Sequence, residues 1–307
     1  MTTDQEAADG DRPAKGERIA KALARAGVGS RREVERMIAA GRVKLDGQLL
    51  DTPAVVIDTL DRVLVDDAPV APAGPPALWR YHKPRGQITT HRDPQGRPTV
   101  FDALPKSLPR VVAVGRLDLN TEGLLLLTND GELARWMELP STGWPRTYRV
   151  RAHGTVDAAR LAALADGITI DGVHYGAIDA GVERQSGANA WLTLTLREGK
   201  NREVRRVLEH LGLAVNRLIR MSYGPFQLGG LARGTLARVP GGLIDRHLGA
   251  VLAARPARSG LEQPPPDRSK WAKAKRRPAA KRPRRPQRGD RRSAPRQRSS
   301  RPPRRSG

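Results

Sequence analysis

Four consecutive leucines, Leu124 to Leu127, constrain the fold of this chain more than any other feature. A short continuous apolar run of this kind is typical of a buried strand. Arg116 and Asp118 stand just ahead of the run, with a single leucine between them. An acid and a base this close, on a turn held by a buried strand, indicate an active site. The alternative is that Asp118 is a turn residue that caps the backbone near Asn120.

The charge of the chain indicates a polyanionic partner. Lysines and arginines number 55 against 32 aspartates and glutamates, and residues 256–307 alone contain 19 basic and three acidic side chains. The rest of the chain is still basic, so both parts have the electrostatic character of nucleic-acid binding proteins. A membrane surface is also anionic, but the sequence contains neither a basic amphipathic helix nor a lipidation signal.

Features that the sequence lacks exclude several kinds of chemistry. It has no cysteine, which excludes disulfides, thiolate metal ligands and cysteine nucleophiles. The six histidines show no metal-ligand spacing, and we find neither a phosphate-binding loop nor a dinucleotide fingerprint, so we expect no metal and no cofactor. Because the sequence has neither a secretory signal nor an apolar run near 20 residues, about the length of a membrane helix, we expect a cytoplasmic protein. We also expect a monomer.

Changes in composition along the chain predict five segments. These are a disordered leader over residues 1–16, a small basic domain over 17–66, an extended Pro/Ala linker over 67–76, a larger domain over 77–255, and a disordered Arg/Pro-rich tail over 256–307. The tail would add salt-sensitive affinity for RNA. The alternative is that it only keeps the chain soluble and has no specific partner.

The small basic domain has the pattern of two helices followed by a hairpin. Apolar spacing predicts a helix over residues 17–26, Ser30 and Glu33 form a capping-box pattern for a second helix, and Asp46-Gly47 predicts a hairpin turn. This order of elements resembles the alpha-L RNA-binding motif. The resemblance implies RNA contacts from basic side chains that could otherwise form only a solvated helix face. They are Lys21, Arg31, Arg32, Arg36, Arg42 and Lys44.

The larger domain mixes strand and helix patterns. Residues 191–196 alternate as a half-buried strand does, while 157–165 and the segment after Asn201 have helical spacing. The mixture predicts an α+β fold around one core.

Five motifs in this domain carry a resemblance to a known family. They lie at residues 83–86, 114–131, 146–150, 198–206 and 216–224. In this order they resemble the RsuA/RluB-type ribosomal RNA pseudouridine synthases, and the last motif is most similar to the large-subunit branch. The resemblance implies an enzyme that isomerises a uridine of ribosomal RNA, either naked or in an assembling subunit, without a cofactor. It also implies a mixed α+β catalytic domain with a central, largely antiparallel sheet.

The resemblance also implies roles for individual residues. Asp118 is implied as the catalytic carboxylate, Arg205 as its bidentate partner, and Tyr148 as the ring against the target base. A surface pair with Glu209 is the alternative for Arg205, and a core position is the alternative for Tyr148.

Further residues are implied to surround the base or to contact RNA. Arg116 would insert into the RNA where the uridine is extruded, because a stacked base is out of reach. Leu218 would pack under the base, although the adjacent Ile219 competes for that place. The remaining predicted RNA contacts are Lys83, Arg85, Arg202 and Arg206.

Three other functions compete with this interpretation. One is a non-catalytic RNA-binding or ribosome-assembly protein, which would need no carboxylate inside a basic groove. The second is the same chemistry on small-subunit or transfer RNA. The third is a basic DNA-binding protein, which would bind duplex DNA as well as RNA at matched salt.

Overall fold

The structure is a computed structural model that describes residues 16–255. The leader predicted for residues 1–16, except Gly16, and the tail predicted for 256–307 lie outside this range. Within residues 16–255 no helix is both long enough and apolar enough to cross a membrane.

The first part of the described chain packs two short helices on small sheets. Its elements are β1 (Glu17–Arg18), α1 (Ile19–Arg25), α2 (Arg31–Ala39), β2 (Val43–Leu45), β3 (Gln48–Leu49), β4 (Val56–Ile57), β5 (Val63–Val65) and β6 (Ala68–Pro69). The capping box is confirmed, because the Ser30 hydroxyl accepts the Glu33 amide and the Glu33 carboxylate accepts the Ser30 amide. The β2–β3 hairpin is confirmed at Asp46-Gly47, where both residues have positive φ.

The beginning of the predicted linker belongs to a sheet. Asp66 and Asp67 have φ of 50° and 63°, which gives a tight turn suited to a hairpin. Ala68 and Pro69 then pair with β5 as strand β6. The linker prediction is therefore wrong for Ala68 and Pro69. Composition alone did not reveal that Asp66 and Asp67 both adopt the left-handed backbone conformation.

The second part is built around one large sheet. Its elements are β7 (Leu78–Lys83), β8 (Val112–Val114), β9 (Thr121–Thr128), α3 (Gly131–Glu138), β10 (Arg146–His153), α4 (Ala158–Ala162), β11 (Ile168–Ile170), β12 (Val173–Tyr175), β13 (Ile178–Ser186), β14 (Asn189–Leu196), α5 (Glu203–His210), β15 (Ala214–Tyr223), β16 (Phe226–Gln227), β17 (Leu236–Arg238) and α6 (Gly241–Ala253). The strand order is β13-β14-β10-β15-β9-β7-β17, with β8 on β9 and β16 on β15. Only β9 and β15 pair in parallel among these described strands, so the predicted α+β fold with a largely antiparallel sheet is confirmed.

The leucine run forms the centre of this sheet. Leu124 and Leu126 pack in the cluster that includes residues of α3 and α6, whereas Leu125 and Leu127 pack in a separate cluster on the other face. Every residue of β9 is buried. Burial on both faces explains why the strand lacks alternating polar residues, and it fixes the turn that precedes β9.

Gly123 lets β9 lie close to β15. It has a φ of +105°, and a Cβ atom there would lie 2.6 Å from the backbone nitrogen of Arg220. Only glycine adopts this conformation readily and leaves the space free. The contact brings the start of β9, and therefore the turn that holds Asp118, beside the middle of β15.

Candidate active site

The central residues of the predicted site line one cleft of about 1170 Å³. Its walls come from the turn between β8 and β9, from β10 and β15, and from the segment that leads into α5. The cleft is lined by Arg116, Asp118, Tyr148, Arg205 and Leu218. The fold therefore gathers side chains that are separated by up to a hundred residues in the sequence.

A buried lysine holds the turn that carries Asp118. Lys83 at the end of β7 is fully buried, and its ammonium donates to the carbonyl oxygens of Asp118 at 3.0 Å, Thr121 at 2.8 Å and Pro84 at 3.1 Å. Burial lowers the pKa of Lys83 to about 8, against the opposing effect of nearby carboxylates. The prediction that Lys83 contacts RNA is wrong, because all of its side chain is used inside the protein.

The carboxylate of Asp118 faces a different arginine from the predicted one. Arg202 Nη1 lies 4.0 Å from Asp118 Oδ2. Arg205 donates instead to the carbonyl oxygens of Asn120 at 3.0 Å and Val215 at 3.2 Å. The expected bidentate pair between Arg205 and Asp118 is therefore absent from the described contacts of these two residues, and Arg202 is the nearer ion-pair partner.

The positions of Arg205 and Arg202 relative to α5 explain why Arg202, and not Arg205, faces Asp118. Arg205 is buried within the first turns of α5, where its donors connect the Asp118 turn to β15. Its burial also contradicts the alternative of a surface pair with Glu209. Arg202 precedes the helix with a φ of +51°, a left-handed conformation that is uncommon for arginine and that departs from the helix direction.

Strands β10 and β15 supply an aromatic and an apolar group. Tyr148 is half-buried and Leu218 is 5% exposed. Val150 pairs directly with Leu218, and alternation puts Tyr148 on the same face as Val150. Ile219 belongs to the cluster on the opposite face. Strand phase therefore places Leu218, and not Ile219, at the cleft.

Basic side chains dominate the charge of the cleft. The basic lining residues are Arg32, Arg92, Arg116, Arg135, Arg146, Lys200, Arg202, Arg205 and Arg220, and the acidic ones are Asp118, Glu138, Glu198 and Glu203. A concave surface with this excess of positive charge attracts phosphates. Arg116 is exposed at the cleft, beside Asp118.

The loop that carries Arg202 is held by two carboxyl groups. Glu203 Oε2 accepts the amide of Lys200 at 2.9 Å. Glu198 accepts the amide of Gly176 at 2.7 Å and the ammonium of Lys200 at 2.5 Å. Burial, reinforced by the neighbouring Glu198, raises the pKa of Glu203 to about 7. These contacts fix the backbone from which Arg202 extends towards the cleft.

Two buried arginines at the cleft, Arg146 and Arg220, were not predicted from the sequence. Arg146 donates to the carbonyl of Arg197 at 2.7 Å and to the Tyr223 hydroxyl at 2.9 Å. Arg220 donates to the carbonyl of Leu124 at 2.7 Å. Both guanidinium groups lie over the Tyr223 ring. The position of Arg220, two residues after a buried leucine in one strand, was the available signal.

Lys21 joins the two parts of the described chain. Its ammonium forms ion pairs with Glu17 at 3.0 Å and with Glu132. Glu132 lies in the first turn of α3, so the contact links α1 to the larger domain. The RNA contact of Lys21 stays a prediction, although carboxylates on both sides already balance its charge.

The other predicted RNA contacts divide into paired and free groups. Arg42 and Lys44 form ion pairs with the turn residues Asp66 and Asp67, each at 2.5 Å. Exposed arginines without an ion pair among the described residues are Arg31, Arg32, Arg36, Arg85 and Arg206. Of these, Arg32 reaches the cleft, so α2 presents at least one basic side chain to whatever occupies it.

Comparisons with known proteins agree with this architecture. The family model of the S4 domain matches residues 17–66, and the family model of RNA pseudouridylate synthase matches residues 77–210. A Rickettsia felis protein described as an uncharacterized RNA pseudouridine synthase is 44% identical over 230 residues, which cover 75% of this chain and all of that protein. The chain belongs to the RNA pseudouridine synthase family. It is therefore an isomerase that converts uridine in RNA to pseudouridine.

Two further similarities bear on this synthase. The ribosomal large subunit pseudouridine synthase B of Haemophilus influenzae is 44% identical over 229 residues, which cover 72% of this chain and 64% of that protein. A crystal structure of a pseudouridylate synthase superposes with a TM-score of 0.53 at 26% identity, covering 74% of this chain and 98% of that one. Both the sequence and the fold are thus similar to those of this family.

Proposed function

We propose that this synthase isomerises a uridine of large-subunit ribosomal RNA, with Asp118 as the catalytic carboxylate. The observation that carries the proposal is the position of Asp118, a carboxylate 4.0 Å from Arg202 in a basic cleft that Tyr148 and Leu218 also line. A protein that only binds RNA gains nothing from a carboxylate there. We take the cytoplasm as the location and the monomer as the working form.

The reaction needs a group that acts on the sugar or the base while the base turns. The bond between ribose and the uracil nitrogen breaks, the base rotates, and a bond from ribose to carbon 5 of the ring forms. The hydrogen on that carbon leaves as a proton, and the nitrogen released from ribose gains a proton. An ionised carboxylate can act as nucleophile or as base in such a sequence. Arg202, 4.0 Å from Asp118, would direct the carboxylate at the substrate.

The remaining residues would hold the extruded base. Tyr148 and Leu218 would offer an aromatic and an apolar surface to the uracil ring. Arg116 is exposed beside them and would stack in the place that the uridine leaves, since guanidinium planes stack on bases. Removing a base from a helix costs a few kcal/mol, and contacts of this kind offset that cost.

The choice of large-subunit RNA rests on relatives. The protein from Haemophilus influenzae named as a large-subunit synthase is 44% identical to this chain. A protein of the same name from Shigella flexneri is 45% identical over 227 residues, which cover 78% of that protein. The sequence motif at residues 216–224 supports the same branch.

Release of tritium from RNA labelled at carbon 5 of uridine tests this proposal, because the hydrogen there is lost only when the new bond forms. Transcripts of large-subunit RNA, small-subunit RNA and a transfer RNA are compared with wild-type protein and Asp118→Asn. We expect release from large-subunit RNA with wild type alone, while Asp118→Asn binds that RNA normally. Release by Asp118→Asn would refute its catalytic role, and release only from another RNA would refute the substrate.

A further inference from the structure

On the side opposite the cleft, α3 and α6 cover the middle of the sheet, and the part formed by β13, β14 and β10 is open. Tyr148 and Val150 point towards the cleft and its core, and Arg149 and Arg151 alternate with them on β10 and are exposed. On the neighbouring strand, Trp191 shares this open face because it pairs directly with Arg151. Any ligand on this face is therefore separated from the active site by the thickness of the sheet.

Four residues form a single row across this face. Arg184 of β13 pairs with Trp191, Trp191 pairs with Arg151, and Arg151 pairs with Arg217 of β15. Directly paired residues have their side chains on the same face. Four strands spaced at the usual 4.8 Å make the row about 14 Å long. Arg149 lies beside it, with its guanidinium 4.5 Å from the centre of the Trp191 ring.

Only part of this positive charge is neutralised by the protein. Arg149 donates to Glu183 at 2.7 Å, and Arg217 makes a bidentate pair with the buried Glu122. Arg151 and Arg184 form no ion pair or side-chain hydrogen bond with any residue of the described range.

The row leaves the charge of Arg151 without a partner. Arg151 stands directly across from Arg217, but Glu122 pairs with Arg217 and not with Arg151. An anion bound on this face would balance the charge of Arg151. Arginines beside a tryptophan suit RNA in particular, because guanidinium groups bind phosphates in bidentate fashion and aromatic rings stack with bases.

We propose that this row, Arg184, Trp191, Arg151 and Arg217, is a second RNA-binding surface that holds the phosphate backbone of the substrate away from the target uridine. The inference rests on the proposed function, because it takes the substrate to be a large folded RNA that can reach both faces of the sheet. The row adds affinity and takes no part in the chemistry.

The test uses full-length protein and a transcript of the whole large-subunit RNA. The double variant Arg151→Gln/Arg184→Gln is compared with Arg238→Gln/Arg246→Gln, which removes two exposed arginines that likewise lack ion pairs among the described residues. RNA affinity is measured across a range of salt concentrations. We expect Arg151→Gln/Arg184→Gln to lower the slope of log Kd against log salt by about 2, one for each phosphate contact, and to weaken binding severalfold relative to the control.

Two further measurements separate this surface from a structural role and from the active site. The rate with saturating RNA should stay at the wild-type value while KM rises. The melting temperature should stay at the wild-type value, because neither Arg151 nor Arg184 has an ion pair among the described residues to lose. If Arg151→Gln/Arg184→Gln left the RNA affinity and its salt dependence unchanged, the proposal would be overturned. An acidic protein would then be favoured as the ligand of this face. If the wild-type protein formed no pseudouridine in this transcript, the proposed function would be refuted instead. The affinity comparison would still show whether the row binds RNA.

Discussion

Replacing Lys83 by methionine tests how the active-site turn is held. Methionine has nearly the same length and is apolar, so the substitution removes the ammonium with little change in volume. Three carbonyl oxygens, those of Pro84, Asp118 and Thr121, lose a charged donor. An unsatisfied buried polar group costs about 1–3 kcal/mol. Because the three carbonyls share one donor, we expect a loss in the free energy of unfolding on the order of 3 kcal/mol.

The catalytic effect should exceed the effect on RNA binding. The turn would relax, and a displacement of Asp118 by about 1 Å is enough to lower the rate about 100-fold. RNA affinity should stay at the wild-type value, because Lys83 has no exposed surface. Denaturant unfolding, tritium release with saturating RNA and filter binding measure the three quantities.

Arg85→Gln is the matched control, because Arg85 is exposed two residues further along the chain. It should leave the unfolding free energy unchanged and weaken RNA binding. If Lys83→Met instead kept full stability and rate but lost RNA affinity with a shallower salt dependence, then Lys83 would be an RNA contact and the reasoning would be refuted.

Three further predictions follow from the site and the sheet. Arg202→Gln should lower the rate about tenfold or more at unchanged RNA affinity, because Arg202 is the ion-pair partner of Asp118; an equal effect on rate and affinity would contradict this. Burial raises the pKa of Glu203 from 4.5 to about 7, so its contribution to stability is fully present below pH 4.5 and is lost as the pH rises through 7. Glu203→Gln should remove this pH dependence of the unfolding free energy in denaturant titrations. If the pH dependence persisted in the variant, Glu203 would not be its source. Gly123→Ala should destabilise the protein by about 4 kcal/mol or more, because the new Cβ would meet the backbone of Arg220; a normal melting temperature would show that β9 can shift.

Local patterns in the sequence were enough to predict much of the fold. The capping box at Ser30 depends on residues three apart, and the alternating run at 191–196 lies within β14. The leucine run predicted a buried strand, and the structure covers it on both faces. These predictions succeed because the interactions involved are local or follow directly from burial.

The failures involve contacts between residues distant in the sequence. Nothing near Lys83 indicates that its ammonium points inward to carbonyls about 35 residues away. Arg202 and Arg205 are one helical turn apart, and only the left-handed conformation before α5 decides which of them reaches Asp118. The buried Arg146 and Arg220 were missed for a similar reason, because the Tyr223 hydroxyl that binds Arg146 and the Leu124 carbonyl that binds Arg220 lie on other strands.

The role of Asp118 is the central claim, and the most direct test maps pseudouridines in ribosomal RNA from living cells. Cells that lack this protein are compared with cells that express the wild type or Asp118→Asn, using chemical labelling and primer extension. We expect one primer-extension stop in large-subunit RNA to be absent from cells that lack the protein, to return with the wild type, and to stay absent with Asp118→Asn. If Asp118→Asn restored the stop, or if all three kinds of cell showed the same stops, the catalytic role of Asp118 would be contradicted.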